Sequence, residues 1–496
     1  MLSDTFLSAP VGYIKRIFPW AFNAFIPVAI ILGTLSGVMV VLLNQPLYIL
    51  LAVAGLLVFV VTLYSTQFGL FVLVFISYTR FSDVFTEFHN SPSIAKPFLA
   101  LLVVSILLRW VIFKDPPKGW LAPTVMFGLL ILSGFASLIY SPVPDRVSEK
   151  LLDNIKDTVI AIVIIILLQA PAVYRRVIWV LILSGIFLCT LSVFQYLTGT
   201  YDSNYGGFSL SLSHQIIGEI DNFRATGPIG DPNFFAQIVV VVIPLSLERF
   251  LHEKNLLLRL AALWGFLASV FTTIITYSRG GLLSMVIALL VLFWFYPPKR
   301  THVPFIILGF VVFVMILPPN YLDRLFTLTD YFGAPSSSRV EELSLQGRLS
   351  ENLAALEMVK ANPLFGVGLN SYTYLFPYYS KSLGLALVST EREAHNLYLE
   401  SLAETGIIGF LFLCILLVSS FRVMLKARAA FLKSGLNDQA GMVVGYLAGF
   451  TGYFFAAIFI HNGFPRYFYL FLGLALAVRM VSENLATSPW TREAGR

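Results

Sequence analysis

Charge is scarce in this chain. Of its 496 residues, 12% are Asp, Glu, Lys or Arg and 57% are hydrophobic, with a mean hydropathy of +0.82. So few ionic groups cannot cover the surface of a water-soluble protein of this length, which excludes one soluble core and leaves a polytopic membrane protein. Cysteine is scarcer still. Cys189 and Cys414 both lie inside apolar runs, where they read as packed thiols, so no disulfide framework or redox compartment can be inferred. The formal charge of +6 is dispersed in short clusters between apolar runs and forms no aromatic-interleaved basic stripe, which argues against nucleic acid as a partner. There is no HExxH, CxxC or paired-acid signature of a metal site, no low-complexity tract, no convincing repeat and no soluble domain.

Long apolar runs dominate what is there. Runs able to cross roughly 30 Å of hydrocarbon fall at 21–43, 46–64, 67–79, 97–113, 120–140, 157–171, 177–198, 233–248, 260–277, 280–296, 303–318, 406–421, 440–460 and 466–481. The first, preceded by Lys15 and Arg16, is too long for a signal-peptide core and lacks a cleavage site, so it reads as an uncleaved span. These fourteen candidates, some of them short, predict an all-α transmembrane bundle of about 12–14 spans. With the N-terminus inside, the short connections on that side hold 19 of the 33 Lys and Arg residues, whereas the other 14 are spread over much longer exterior loops. That is the bias expected of cytoplasmic and exterior faces. The boundaries that follow are a bundle at 1–318 with an outer loop at 199–232, a large outer loop at 319–405, C-terminal spans at 406–481 and a cytoplasmic tail at 482–496.

Loops above ~15 residues usually carry structure or function. Within 319–405, "SSRVEELSLQGRLSENLAALEMVKANP" predicts a helix with Ser338 and Glu341 spaced as a capping box, leucines at 345, 349, 353 and 356 facing the bundle, and Asn362-Pro363 as its stop. "LFGVGLNSYTYLFPYYS" suits a membrane interface, and "AHNLYLESLAETG" predicts a short helix closed by Gly406.

Four exterior arginines resist explanation as topology markers: Arg224, Arg279, Arg348 and Arg392. Arg224 opens "RATGPIGDPNFF", whose turn can bring backbone N–H groups toward an anion before a helix begins near Pro232. Arg279 sits in "TYSRGGLL", a hinge between two apolar helices, and Arg348 in "QGRLSENLAAL". Planar guanidinium forks outside the bilayer suit a phosphate or diphosphate, although any one of them could equally serve a lipid headgroup. His395 is the candidate base. At a helix start near arginines, its imidazole should be held neutral, and the plain alternative is a capping histidine. Glu404 reads as seating the helix end, and Glu400, with Asn396 and Arg392, as contacting or orienting a partner. His252 and His302 lie on the cytoplasmic side, His214 sits in a loop without companions, and His461 heads a short outer turn.

In order, "RATGPIGDPNFFAQ", "YSRGGLL", "GRLSENLAALEMVKANPLFGVGLNSY" and "AHNLYLESLAETGIIGF" make residues 220–415 resemble the O-antigen ligase and polymerase superfamily of bacterial envelope enzymes. The resemblance implies a GT-C-like glycosyltransferase of the inner membrane with its active site at the periplasmic face. It would transfer a glycan from undecaprenyl diphosphate to an acceptor glycan or lipid A core, with inversion and with neither cofactor nor metal. It implies essential roles for Arg279, Arg348 and His395; Arg224, Arg392, Asn396 and Glu400 are added as substrate-binding candidates from their positions. Membrane lipids are the remaining partners. Polymerase and ligase share a donor and differ in acceptor, and the long 199–232 loop inclines the reading toward polymerase. The rival class is a transporter of a small solute or anion, which would place ionisable groups and broken helices near the midplane; the spans here are nearly free of charge.

Overall fold

The computed structural model describes residues 46–214, 222–302, 304, 339–384 and 391–486. The expected spans at 21–43 and 303–318, the Ser338 cap and most of the tail lie outside the described residues. The chain divides into two compact units, 1–69 and 70–496.

The expected run at 46–64 is helix α1 (Pro46–Tyr64), and α2 (Thr66–Thr79) is followed after Arg80 by α3 (Phe81–His89), bent by 55° from it. Then come α4 (Ala95–Phe113), α5 (Leu121–Tyr140), α6 (Pro144–Leu167) and α7 (Pro171–Thr198). A hairpin of β1 (Leu210–His214) and β2 (Asn222–Gly227) precedes α8 (Pro232–His252), α9 (Leu256–Ile275) and α10 (Arg279–Phe295). Next are α11 (Arg339–Ala361) and α12 (Tyr372–Ser382). The chain closes with α13 (Leu397–Lys433), α14 (Asn437–Ala456) and α15 (Pro465–Ala486). Every expected apolar run that falls on described residues is helical over most of its length. Among the described residues six helices are long and apolar enough to cross a membrane, or seven if α2 and α3 form one broken span. The chain is an all-α polytopic membrane protein.

Local chemistry sets the helix starts. Pro144, Pro171 and Pro232 stand in first turns, where a missing N–H costs nothing. Asp231, Asn255, Ser278 and Asn396 cap α8, α9, α10 and α13 through side-chain oxygens. The bundle is centred on α8, which packs against α9, α10 and α14, while α15 packs against α6 and α13.

The hairpin was not foreseen: residues 199–232 are not simply a loop. In antiparallel register, Leu212 faces Arg224, and a bulge lies between Leu210 and Ser211. Its ladder satisfies backbone polar groups that a long connection would leave to solvent. The short helix expected to close at Gly406 does so: α13 breaks there, at non-helical dihedrals (φ 65°, ψ −170°), and a second helical length follows. Two further expectations are corrected. The helix over the sixth expected span begins well before its apolar run, at Pro144, with a charged first half. And α11 presents its leucines outward: Leu349, Leu353 and Leu356 are exposed, while Glu351, Ala354, Ala355 and Met358 are buried against Tyr372 and Phe376.

Candidate active site

Three motif segments meet at one end of the bundle. "NPLFGVG" is laced onto the first turns of α13: Val367 and Gly368 donate to the carbonyls of Ala403 and Glu404, and beyond the break Ile407 donates to Pro363 O at 2.8 Å. The approach is so close that a Cβ on Gly406 would lie 2.3 Å from Leu364 O, and one on Gly366 2.4 Å from the Glu404 carbonyl carbon. Both positions also need positive φ, so only glycine fits. The Glu404 carboxylate accepts from Tyr372 N at 3.1 Å, seating α12 as well as the start of α13.

The centre of the site is Glu351 of α11, whose side chain is 3% exposed. Its Oε1 accepts from Arg392 Nη1 at 3.1 Å, and its Oε2 lies 3.1 Å from His395 Nδ1. Nδ1 also hydrogen-bonds the Glu393 carbonyl at 3.1 Å. With a carbonyl and a carboxylate both beside Nδ1, the proton belongs there, and Nε2 is the acceptor of the neutral ring. His395 itself is left-handed (φ 45°) and lies outside α13, whose cap is Asn396, with Oδ1 accepting from the N–H groups of Tyr398 and Leu399. The expectation of a depressed pKa is therefore corrected. Hydrogen bonding to Glu351, reinforced by its charge, raises His395 above the usual imidazole range, against opposition from burial and the weaker repulsion of Arg348. The helix start exerts less hold than a carboxylate at contact distance. Arg348 is exposed, three residues before Glu351 on α11. The glycine of "GR" also has a reason: a Cβ at Gly347 would lie 2.6 Å from Arg392 Nη1.

Arg224 and Arg279 meet at a neighbouring turn. Arg224 Nε donates to Thr276 O at 2.8 Å and its Nη2 to Asn233 Oδ1 at 3.4 Å, which fixes β2 to the hinge where left-handed Tyr277 (φ 51°) turns α9 into α10 and Arg279 begins the next helix. The anion imagined at the following helix start is already supplied by the protein: the Asp231 carboxylate accepts from the N–H groups of Asn233 and Phe234.

His461, passed over in the sequence, joins the two groups. Its ring stands edge-on to His395 at 5.6 Å and to Phe234 at 5.1 Å. Burial pushes its pKa down to about 4 despite Glu393, whose Oε2 lies 3.8 Å from Nε2. No local signal singles it out, since the "HN" pair at 461–462 occurs at 89–90 as well as at 395–396. Glu351 and Lys150 were also missed. Lys150 Nζ donates to Asn462 O at 3.2 Å, and Asn462 N donates to Glu400 Oε2 at 3.1 Å. Lys150, Asn154, Asn370, Glu400 and Glu404 are among the residues lining a small cleft open to solvent. Glu400 thus faces this cleft. Among the described residues, no three His, Cys, Asp or Glu side chains gather as a metal-holding set.

Residues 264–414 match a family model described as O-antigen ligase. The match runs from α9 to the middle of α13 and takes in Arg279, Arg348, Glu351, Arg392 and His395. No curated protein matches the chain.

Proposed function

We propose, for a chain whose residues 264–414 match an O-antigen ligase family model, that it transfers a glycan from an undecaprenyl diphosphate carrier to an acceptor sugar at the periplasmic face of the bacterial inner membrane. In coarser terms the chain is a membrane glycan ligase or polymerase. In the proposed step an acceptor hydroxyl oxygen attacks the anomeric carbon as the carbon–oxygen bond to the diphosphate breaks, inverting that centre. The hydroxyl proton passes to His395 Nε2, and the diphosphate leaves with its new charge held by Arg348 and Arg279. Preorganised cations at a leaving group typically contribute ~100 to 1,000-fold each. Arg224 holds the hinge that carries Arg279, and Arg392 and Glu351 fix the imidazole.

The observation that carries this reading is the buried Glu351 carboxylate, which grips Arg392 and His395 together three residues from Arg348. With its proton held at Nδ1 by the carboxylate and the Glu393 carbonyl, the neutral ring offers Nε2 as the acceptor. The test is to incubate purified protein with a defined undecaprenyl-diphosphate oligosaccharide. A ladder from donor alone indicates a polymerase, and product only after addition of a core acceptor indicates a ligase. Absence of transfer under both conditions would overturn the proposal. The observation nearest to the transporter reading is the cleft of Lys150, Glu400 and Glu404, which leucine, isoleucine and aromatic side chains also line; solute uptake into vesicles without any glycan transfer would support it.

A further inference from the structure

Helix α11 carries apolar side chains on two sides. Its buried face joins a hydrophobic cluster through Ala354, Ala355 and Met358, with Glu351 buried beside them. Its outward face carries Leu349, Leu353 and Leu356 at i, i+4 and i+7, and these are 51%, 36% and 41% exposed. The apolar strip does not end with the helix. Leu364 and Phe365 follow, both more than half exposed. The carbonyls of Pro363 and Leu364 accept from Ile407 and Ile408, where the apolar length of α13 begins and Ile407, Leu411 and Ile415 point outward. The leucines of α11 are thus continuous with the outward stripe of a helix apolar enough to cross the membrane. Lys360, on the same face near the C-terminal end of α11, has a stem long enough to carry its ammonium back to water.

We infer that α11 is an interfacial helix whose Leu349, Leu353 and Leu356 are sunk among the acyl chains of the bilayer leaflet at this end, with its buried face on the protein. A helix lying in this way has its axis along the membrane plane, which holds the exposed Arg348 at the depth of lipid phosphates. The inference does not depend on the chemistry proposed above.

The test uses the full chain in phosphatidylethanolamine–phosphatidylglycerol vesicles, with nitroxide labels on L349C, L353C and L356C in a C414A background. D202C on the exposed turn after α7 serves as the aqueous reference and L411C on α13 as the lipid reference. Oxygen should relax the three labels more than a nickel chelate does, as at 411, with the order reversed at 202. Nickel accessibility at all three matching that at 202 would overturn the inference. So would three immobilised labels reached by neither reagent, the result for a face covered by another protein copy. A variant whose label at 411 departs from lipid behaviour is misfolded and is replaced by the serine–cysteine pair L349S/L353C, read in the same way.

Discussion

The two ends of the bundle each hold arginine and buried carboxylate, yet they are built differently. At the end the charge bias assigns to the cytoplasm, Arg249 is fully buried. Its guanidinium bonds both oxygens of Glu248 at 2.6 and 2.7 Å and Asp438 Oδ1 at 2.7 Å. Arg175 joins the same network through Asp438 and through Glu253 at 2.5 Å. At the opposite end Glu351 is equally buried, but its partners Arg392 and His395 are 42% and 37% exposed and Arg348 stands in the open. The first cluster is saturated by the protein and reads as a clamp between α7, α8 and α14. The second keeps its anion inside and turns its cations outward, toward something the protein does not supply.

Removing the charge at each end should separate the two roles. Arg249→Ala leaves the buried Glu248 with only the half-exposed His252 beside it and should cost about 3–5 kcal/mol, read as a fall in the thermal midpoint of the detergent-solubilised protein. An unchanged midpoint would show that the cluster is no clamp. Arg348→Ala should do the reverse. Transfer should drop ~100 to 1,000-fold, while stability stays within roughly 0.5 kcal/mol, as for an exposed surface change. Arg348→Lys should remain impaired because an ammonium lacks the fork, and full recovery by lysine would reduce the site to simple charge attraction.

A subtler change tests Glu351. His395 is raised above its unfolded value, so its stabilising contribution is complete below about pH 6.5 and fades as pH rises through the folded pKa. A base must be neutral, so transfer should increase with pH through that same pKa. Glu351→Gln removes the main cause of the shift, and the acid limb of the rate profile should move to lower pH. A limb that stays in place would assign it to another group. The smallest effect should come from Arg146→Ala. Arg146 pairs bidentately with Glu391 at 2.9 Å, but both side chains are largely exposed, so the loss should lie within about 0–1 kcal/mol and shrink further in salt.

Hydropathy made the helices legible, because the cost of unpaired backbone in lipid forces each apolar run into one. The grouping of motif residues was legible too: the "GR", "FGVG" and "HN" segments do meet, held by Gly366, Gly406 and Glu351. What the sequence hid falls into two kinds. The Glu351–His395 contact joins residues on different elements, and no local spacing encodes it, so the pKa of His395 was read from its neighbours in sequence and came out with the wrong sign. The leucines of α11 were legible as a stripe but assigned the wrong partner, since the rule that apolar faces turn inward holds where the outside is water.

The Gly406 dihedrals lie where no residue bearing a β-carbon can follow. A codon-randomised library at this site should therefore return one amino acid, although 406 has been given no role in the chemistry. A search for catalytic groups by intolerance to mutation alone would count it among them. It is better understood as the joint at which a segment presenting His395 is riveted to the loop before α12, so that the histidine's aim depends on a hydrogen atom eleven residues away.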